Sequence, residues 1–560
     1  MLRALPLVAG LFLLPHLLPA QQLTSAAQYY RLRQQADSVF QAANLSAAEP
    51  LLKRLLDYDA RDGEIWYAYA RALQNGDKRA EAIQAYRRAI ELGFGYPADH
   101  YFAIARLYAQ AGERDSTTVY AQRALSARYA YRDRLRTESI FQQFHNHPPF
   151  RALAAVPDSN LSRDARWQFD LDYLVAEAKR LHASFERHAY APAFDSAAAA
   201  LRRDIPRLDD ESIVARMRAL VVLLDDGHTG VYFENAPRLP ITMYWFKDGV
   251  FVIRDVSGAR EPASPGDTTL LGSRVVAIEG VPVEQAMQRV AAYITRDNDM
   301  GVRAIAPGYL VNRPILRAAG ILRDSTQLTL TVRNRKGATR SVRLPFALPN
   351  EVTARLNVLP GDSAARPLWL LHARQAYWMR ALPDAQAVYL QFNAVRHDPA
   401  NPIPSFARQL TQVLDSTRAR HLIVDLRHNG GGNSYLFPPL IKAMIVFKEK
   451  SPEHRVYVIT GRQTFSAAQN FATAIDQWVG AVFVGEPTGS RTNFTGESST
   501  FRLPASNTRA NISWRWHQYA QWVDHRKWIA PQIPAEATSQ DYFSGRDPAL
   551  EAILEVIKGD

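Results

Sequence analysis

Apolar residues follow two different periods along this chain, and the points where the period changes divide it into regions. Residues 25–155 and 160–232 carry apolar side chains at the spacing of amphipathic helices. Residues 233–348 are expected to form short strands, because apolar and polar positions alternate there. From residue 375 to 560, strand patterns and helix patterns follow one another, which is typical of an α/β layer structure. We therefore predict a multidomain protein of the α plus α/β class.

The first helical region repeats itself. Residues 66–71 (WYAYAR) are matched 35 positions later by residues 101–106 (YFAIAR), and the turns that follow carry Gly76 and Gly112. This pattern resembles a tetratricopeptide array, in which stacked helix pairs share a core and leave a concave face. The array is expected to be either a docking surface for a protein partner or a spacer or oligomerisation unit.

The middle of the chain shows a second, shorter resemblance. Residues 270–283 read as a strand and a glycine turn, and residues 284–294 read as a helix. This order resembles part of a PDZ domain, a module that adds a peptide strand to the edge of its sheet. The region 233–348 is therefore expected to be rich in β-strand and PDZ-like.

The chain begins like a secretory signal. Arg3 precedes an apolar run over residues 4–18, and the small residue Ala20 follows. The run is shorter than the ~20 residues of a membrane-spanning helix, and no later segment is long and apolar enough to span. We expect cleavage near Ala20, so that residues 1–20 are a signal peptide and the mature protein is periplasmic or secreted. An uncleaved N-terminal anchor is the alternative.

Composition removes several function classes. The chain has 560 residues, a formal net charge of +12 and no cysteine, which excludes disulfides, thiolate metal sites and a cysteine nucleophile. The arginines are scattered rather than clustered, so no nucleic-acid partner is expected. The histidines lack metal-ligand spacing such as His-Glu-x-x-His, and we predict neither a metal nor a cofactor.

A run of three glycines follows a predicted buried strand at residues 421–426. Residues 430–432 leave backbone N–H groups free to face a ligand, and the run does not match the phosphate-loop pattern. Such amides can form an oxyanion hole, which stabilises negative charge as it develops during a reaction. A plain tight turn would explain the same residues.

A second loop leads from a predicted strand into a helix that starts at Ser466. A serine at that position is commonly an N-cap. The same position also puts the hydroxyl at the positive end of the helix, beside the N–H of Ala467, where a nucleophilic serine would be stabilised. The loop alone leaves both interpretations open.

Taken in order, four motifs narrow the choice: residues 226–229 (DGHT), 425–432 (DLRHNGGG), 464–468 (TFSAA) and 484–489 (VGEPTG). The set resembles the tail-specific, or C-terminal processing, serine peptidase family. The resemblance runs from about residue 162 to residue 560.

The resemblance implies a fold and a set of site residues. Residues 375–560 would form a crotonase-like α/β core of stacked ββα units. Ser466 matches the nucleophile of the family. Gly431 or Gly432, together with Ala467, matches the donors of the oxyanion hole.

The base of the reaction depends on the branch of the family. One branch uses a Ser–Lys dyad, but no lysine lies between Lys450 and Lys527, and Arg491 stands in the expected region. Arginine stays protonated and cannot act as a base. The tricorn-core-like branch takes a histidine from the Asp-x-His-Thr motif, which here is His228, a residue type suited to proton transfer. A buried histidine that ties down a loop is the alternative for His228.

Two carboxylates are candidates for the acid that orients this histidine. The tricorn-core-like branch has a serine before the histidine, whereas this chain has Gly227. Asp524 is preferred as the acid, and Glu497 is the second candidate.

These expectations combine into a secreted serine peptidase that hydrolyses extended or unfolded polypeptides through an acyl-enzyme. Two alternatives stay open: a catalytically idle protein on the same fold that binds a small apolar ligand or a peptide, and a scaffold that works through its repeats.

Overall fold

The computed structural model describes residues 25–185, 191–255, 270–323, 326–349, 367–372 and 374–559. The chain divides into two compact units, Met1–Val156 and Pro157–Asp560. The predicted signal peptide, residues 1–20, lies outside the described residues. In the described part of the chain, no helix has both the length and the apolar character needed to cross a membrane.

The first unit is helical throughout its described residues. Its helices are α1 Ala26–Gln41, α2 Leu45–Tyr58, α3 Gly63–Asn75, α4 Arg79–Glu91, α5 Pro97–Gln110, α6 Arg114–Ser126, α7 Arg134–Thr137, α8 Ser139–Gln142 and α9 Pro148–Ala154. Side-chain caps start several of them: Ser25 forms a capping box with Gln28, and Asp62 accepts two N–H groups of α3. The helical prediction for this region agrees with the structure.

Burial in this unit follows the 35-residue repeat. Ala70 on α3 and Ala105 on α5 stand at matching positions, and both side chains are completely buried. Small residues there allow neighbouring helices to approach closely, and consecutive helices pack on one another along the chain. The repeat is thus a packing pattern, while its assignment as a tetratricopeptide array stays a prediction.

The second unit begins with helices and continues into an antiparallel sheet. These elements are α10 Arg163–Leu181, α11 Ala191–Asp204, α12 Asp210–Val222, β1 Gly230–Val231, β2 Ile241–Phe246, β3 Gly249–Asp255, β4 Arg274–Ile278, β5 Val281–Pro282, α13 Val283–Ala291, α14 Asp299–Tyr309, α15 Arg313–Ala318, β6 Gln327–Arg333 and β7 Thr339–Pro345. The strand order is β2-β3-β4-β6-β7, with β5 beside β4. The predicted strand, turn and helix over 270–294 are therefore present as β4 to α13, and the PDZ-like assignment stays a prediction.

The remaining elements build a mainly parallel sheet and a long hairpin. They are β8 Tyr377–Leu382, β9 Ala387–Phe392, α16 Ile403–Ser416, β10 His421–Asp425, α17 Pro438–Glu449, β11 Arg455–Thr460, α18 Ala467–Trp478, β12 Val482–Gly485, β13 Asn493–Arg502, β14 Arg509–Gln518, β15 Ile533–Pro534, α19 Ser539–Phe543 and α20 Pro548–Gly559. The sheet has the order β15-β12-β11-β10-β9-β8, in which only the edge strand β8 runs antiparallel to its neighbour.

Helices cover both faces of this sheet. Val388 on β9 shares one core with Phe406 of α16 and Phe471 of α18. Tyr389, the next residue of β9, faces the opposite core, which includes Ile553 of α20. Strands buried on both faces read as continuous apolar runs, which is why the sequence pattern predicted a buried strand at β10 and a further strand at β11.

The hairpin of β13 and β14 joins a distant part of the chain to this sheet region. Gly230 and Val231 of β1 pair with Asn511 and Ala510 of β14. The Asp-Gly-His-Thr motif (residues 226–229) comes directly before β1, so this pairing places the motif beside the hairpin. His228 is thereby brought close to the part of the chain that contains Ser466.

Candidate active site

Two loops at the carboxyl ends of neighbouring parallel strands form the centre of the site. The glycine loop (residues 429–432) follows β10, and the serine loop (residues 461–466) follows β11. Parallel strands end at the same edge of a sheet, which is where α/β proteins place their ligands. The Phe465 N–H donates to the Asn429 carbonyl at 3.1 Å, so the two loops are directly bonded.

Gly431 is the point of closest approach between these loops. A Cβ atom on Gly431 would lie 2.7 Å from Ser466 Cβ and 2.9 Å from the Ala467 nitrogen. Its φ of +111° is also one that residues with side chains rarely adopt. Only glycine fits this position without displacing Ser466.

Ser466 has a strained backbone conformation. Its φ is +55° and its ψ is −125°, and its side chain makes no capping hydrogen bond to α18. The N-cap interpretation therefore lacks the bond that defines it. Strain of this kind costs on the order of 1–3 kcal/mol and clusters at functional sites, including the sharp strand-to-helix turn that exposes a nucleophilic serine.

Backbone N–H groups beside Ser466 differ in their availability. The Gly431 N–H already donates to Asn429 Oδ1 at 3.0 Å. Among the described residues, the N–H groups of Gly432 and Ala467 have no hydrogen-bond acceptor. Of the two glycines considered from the sequence, Gly432 is thus the one with an open donor, and Gly431 serves the close approach of the loops.

Asn429 is a residue that the sequence pattern did not single out. It is completely buried, and its side-chain amide donates to the Phe392 carbonyl at 2.8 Å while its oxygen accepts from Gly431. The side chain therefore holds the glycine loop in shape. Its position directly before the three glycines was the available signal, because asparagine often stabilises turns through its side chain.

The stems of both loops are held by buried ion pairs. Arg427 bonds Asp547 through two parallel contacts of 2.9 and 3.0 Å and also contacts Asp425 at 2.9 Å. Arg462 contacts both oxygens of Glu486 from the serine loop. Planar, two-point contacts of this type fix orientation as well as distance.

His228 lies beside the serine loop. Its ring stacks on Phe465, the residue before Ser466, at a centroid distance of 4.4 Å, and on Phe494 of β13 at 5.4 Å. Both ring nitrogens are buried and have no hydrogen-bond partner. The structure therefore brings His228 to the loop of Ser466, but in this conformation the two side chains are not hydrogen-bonded.

The histidine loop (residues 225–229) is anchored by Asp226. This carboxylate accepts the N–H groups of His228 and Thr229, both at 2.7 Å, the Ser513 hydroxyl at 2.9 Å, and pairs with His182 Nε2 at 3.0 Å. Burial acts to raise its pKa, but the bond from His182 and the other donors hold the pKa of Asp226 below its ordinary value. Asp226 is therefore a fixed negative charge at the base of the loop.

Asp524, the acid expected from the sequence, is bonded to a basic side chain. Its carboxylate pairs with Arg526 at 2.8 Å, and Arg526 also pairs with Asp476. Neither ring nitrogen of His228 has a hydrogen-bond partner, so Asp524 does not contact the ring in this conformation. The second candidate, Glu497, is half exposed and lies 3.8 Å from His517 instead.

Arg491 stands where the Ser–Lys branch is expected to have its lysine, and its contacts are structural. Its guanidinium donates to the Asp297 carbonyl at 2.7 Å and to Asp225 of the histidine loop at 2.5 Å. The residue that stands near the expected lysine position therefore clamps the histidine loop in place. Among the described residues, no group of histidine and acidic side chains is arranged to hold a metal ion.

Comparison with known proteins relates this part of the chain to a peptidase family. The model of peptidase family S41 matches residues 388–531, which contain the glycine loop and Ser466. The chain is thus a serine-type peptidase. Within that class, residues 388–531 form a tail-specific peptidase domain of family S41.

Two solved structures of CPAF agree with this chain on the fold. The structure of mature CPAF complexed with lactacystin is 15% identical, with a TM-score of 0.53, over 71% of this chain and 99% of that one. Mature CPAF alone is 14% identical, with a TM-score of 0.51, over 71% and 98%. The photosystem II D1 C-terminal processing protease is 13% identical, with a TM-score of 0.35, over 71% and 98%. No curated protein sequence matches the chain significantly.

Proposed function

We propose that this peptidase cleaves extended polypeptides outside the cytoplasm, with Ser466 as the nucleophile and His228 as the base. The observation that carries the proposal is the strained backbone of Ser466 at the start of α18, with φ at +55°. A serine that neither caps its helix nor relaxes its backbone has a conformation maintained by its surroundings. The open amides of Gly432 and Ala467 support the same reading.

The reaction runs through an acyl-enzyme. Ser466 Oγ attacks the carbonyl carbon of the peptide bond while His228 takes the hydroxyl proton. The N–H groups of Gly432 and Ala467 stabilise the negative charge on the carbonyl oxygen. The C–N bond breaks as His228 returns the proton to the leaving amine, and water then releases the acyl group by the same steps.

His228 must move closer to Ser466 before the proton transfer can take place. A ring nitrogen of His228 must come within about 3 Å of Ser466 Oγ, and working contacts of this kind often tighten only when substrate binds. Because neither ring nitrogen has a hydrogen-bond partner, the ring can turn without breaking one. Stacking on Phe465 and Phe494 opposes rotation of the ring about its Cβ–Cγ bond, so the movement must include these aromatic side chains or the histidine loop.

The proposed export and the proposed polypeptide substrate are supported by other parts of the chain. The signal-like residues 1–20 support export. The sheet of β2, β3, β4, β6 and β7 has an edge at β7, and edges of this type can accept an extended peptide strand. The helical unit supports contact with a protein partner. Together these features favour a polypeptide chain as substrate.

Active-site labelling tests the proposal. A fluorophosphonate probe should label the wild-type chain and fail to label Ser466→Ala. Ser416→Ala is the matched control, because Ser416 is an exposed serine at the end of α16 in the same domain and should leave labelling unchanged. Absence of labelling in both chains would favour the idle binding protein. Equal labelling of wild type and Ser466→Ala would mean that Ser466 is not the nucleophile.

A further inference from the structure

Asp297 is a buried carboxylate that the reaction described above does not use. It lies two residues before α14 and is 2% exposed. Its Oδ1 accepts the N–H of Gly227 at 2.7 Å, and its Oδ2 accepts the hydroxyl of the completely buried Ser490. Asp297 is therefore bonded to the residue that directly precedes His228.

The missing side chain at Gly227 makes this approach possible. A Cβ atom on Gly227 would lie 3.2 Å from Asp297 Oδ1 and 2.7 Å from two atoms of the Phe465 ring. The carboxylate and the aromatic ring thus meet around the space that a side chain at position 227 would fill.

Two carboxylates stand near His228, and their hydrogen bonds differ. A carboxylate has about four lone-pair sites. Asp226 uses its sites on His228 N, Thr229 N, Ser513 and His182. Asp297 accepts only the bonds from Gly227 and Ser490, which leaves capacity for a further donor.

The other charged groups around His228 are already paired or are uncharged. His517 faces it across Phe494 and has its pKa lowered to about 4 by burial, with Arg515 and His228 adding to the effect. Asp225 is paired with Arg491. Both Asp226 and Asp297 interact with a positive charge on His228, and Asp297 is the one of the two that keeps open hydrogen-bond sites. Burial raises the pKa of Asp297, and the charge on His228 lowers it, so the two groups are coupled.

We propose that Asp297 is the positioning residue of His228 and supplies the negative charge that stabilises its protonated ring, the role for which the sequence suggested Asp524. The inference rests on the proposed function of Ser466 and His228. When His228 takes the serine proton, its positive charge forms between two phenyl rings, where little water can stabilise it. A buried carboxylate beside the loop favours that charged form.

Asp297→Asn tests this inference, because the amide oxygen keeps the bond from Gly227 while the negative charge is lost. The amide nitrogen then donates to the Ser490 hydroxyl instead of accepting from it. We expect kcat/KM to fall by roughly 100-fold or more with KM nearly unchanged. The acid limb of the kcat/KM profile should also move to lower pH, because loss of a negative charge disfavours the protonated ring. Asp415→Asn, which breaks an exposed pair with Lys450, is the control for loss of a carboxylate in the same unit.

Asp524→Asn decides between the two acids. If this variant shifts the acid limb and Asp297→Asn does not, the inference is wrong and Asp524 orients the histidine from another conformation. If Asp297→Asn loses activity with an unmoved pH profile, Asp297 is only a structural tie of the loop and the inference is again overturned. Ser490→Ala should give a smaller shift in the same direction, since the bond from the Ser490 hydroxyl favours the charged form of Asp297.

A readout that needs no hydrolysis separates this inference from the proposed function. The titration of the His228 ring can be followed by NMR with 13C-labelled histidine, assigned by its loss in His228→Gln. Its midpoint should move to lower pH in Asp297→Asn, whether or not wild type reacts with the serine probe. An unmoved midpoint refutes the role of Asp297, whereas absent labelling with a moved midpoint refutes the peptidase chemistry alone.

Discussion

The serine side and the histidine side of the site are built in different ways. Ser466 and Gly431 lie at the ends of two adjacent parallel strands, and the loop stems are held by buried arginine pairs. His228 lies in the histidine loop (residues 225–229). This loop is held by residues far away in the chain, among them residues 297 and 490–491. The first arrangement follows from strand order, while the second depends on individual side-chain contacts.

The difference has a chemical consequence. The serine side already has a serine with a strained backbone and two open amides. The histidine side has His228, the proposed base, whose two ring nitrogens have no hydrogen-bond partner. Assembly of the working site therefore depends on the histidine side, and substitutions on the two sides should fail in different ways.

Gly431→Ala should have the largest effect on activity, because it places a methyl group where the glycine loop and the serine loop are in contact. The new Cβ would collide with Ser466 and the Ala467 nitrogen, and alanine is strained at a φ of +111°. A displacement of this size is expected to lower kcat/KM at least about 100-fold. Initial rates on an unfolded polypeptide and the rate of probe labelling measure it.

Gly430→Ala is the matched control for that variant. A Cβ on Gly430 would meet no atom within 4 Å, and its backbone is not in the left-handed region. Its activity should stay within about threefold of wild type, since surface changes are usually mild. Equal losses in both variants would show that the loop tolerates no side chain at all, and the specific contact with Ser466 would lose its importance.

Gly227→Ser should have an intermediate effect on the histidine side. The change introduces the serine that the tricorn-core-like branch carries, yet its Cβ would lie 2.7 Å from the Phe465 ring. We expect kcat/KM to fall roughly tenfold rather than rise, because the ring stacked on His228 must move. Steady-state kinetics measure the change.

A double variant makes the cause visible. Gly227→Ser with Phe465→Leu should recover part of the activity that Gly227→Ser loses, if the clash with the ring is responsible. A Gly227→Ser variant that is faster than wild type would mean that the missing hydroxyl, rather than crowding, limits the histidine side.

Much of the serine side could be predicted from the sequence. Apolar runs with strand and helix spacing located β10, β11 and α18, and the two motifs at their ends marked Ser466 and the glycine loop. The helix start was displaced by one residue, because Ser466 has a left-handed backbone instead of capping α18. Which glycine amide is open could not be predicted, since it depends on the side chain of Asn429.

The histidine side was predictable only in part. The Asp-Gly-His-Thr motif indicated His228, but its acid was assigned from distance along the chain, which led to Asp524. In the structure Asp524 pairs with Arg526, and Asp297 reaches the loop through Gly227. Burial and hydrogen-bond capacity separate these two carboxylates, and neither quantity is visible in the order of residues.

The smallest expected effect is a dependence of stability on pH from His517, opposite Phe494 on the histidine side. Its pKa is lowered to about 4, first by burial and then by Arg515 and His228. His517 therefore takes up a proton near pH 6.5 in the unfolded chain but only near pH 4 in the folded chain. The stability linked to neutral His517 is complete above pH 6.5 and is lost as the pH falls towards 4.

His517→Gln isolates this effect, because glutamine does not titrate. We expect the fall in Tm between pH 7 and pH 5 to be smaller in the variant than in wild type by a few degrees Celsius. His525→Gln, which changes an exposed histidine, should keep the wild-type slope. If His517→Gln keeps it too, burial on the histidine side is looser than the stacked rings of His228, Phe494 and His517 indicate, and the base would move more freely than the serine it serves.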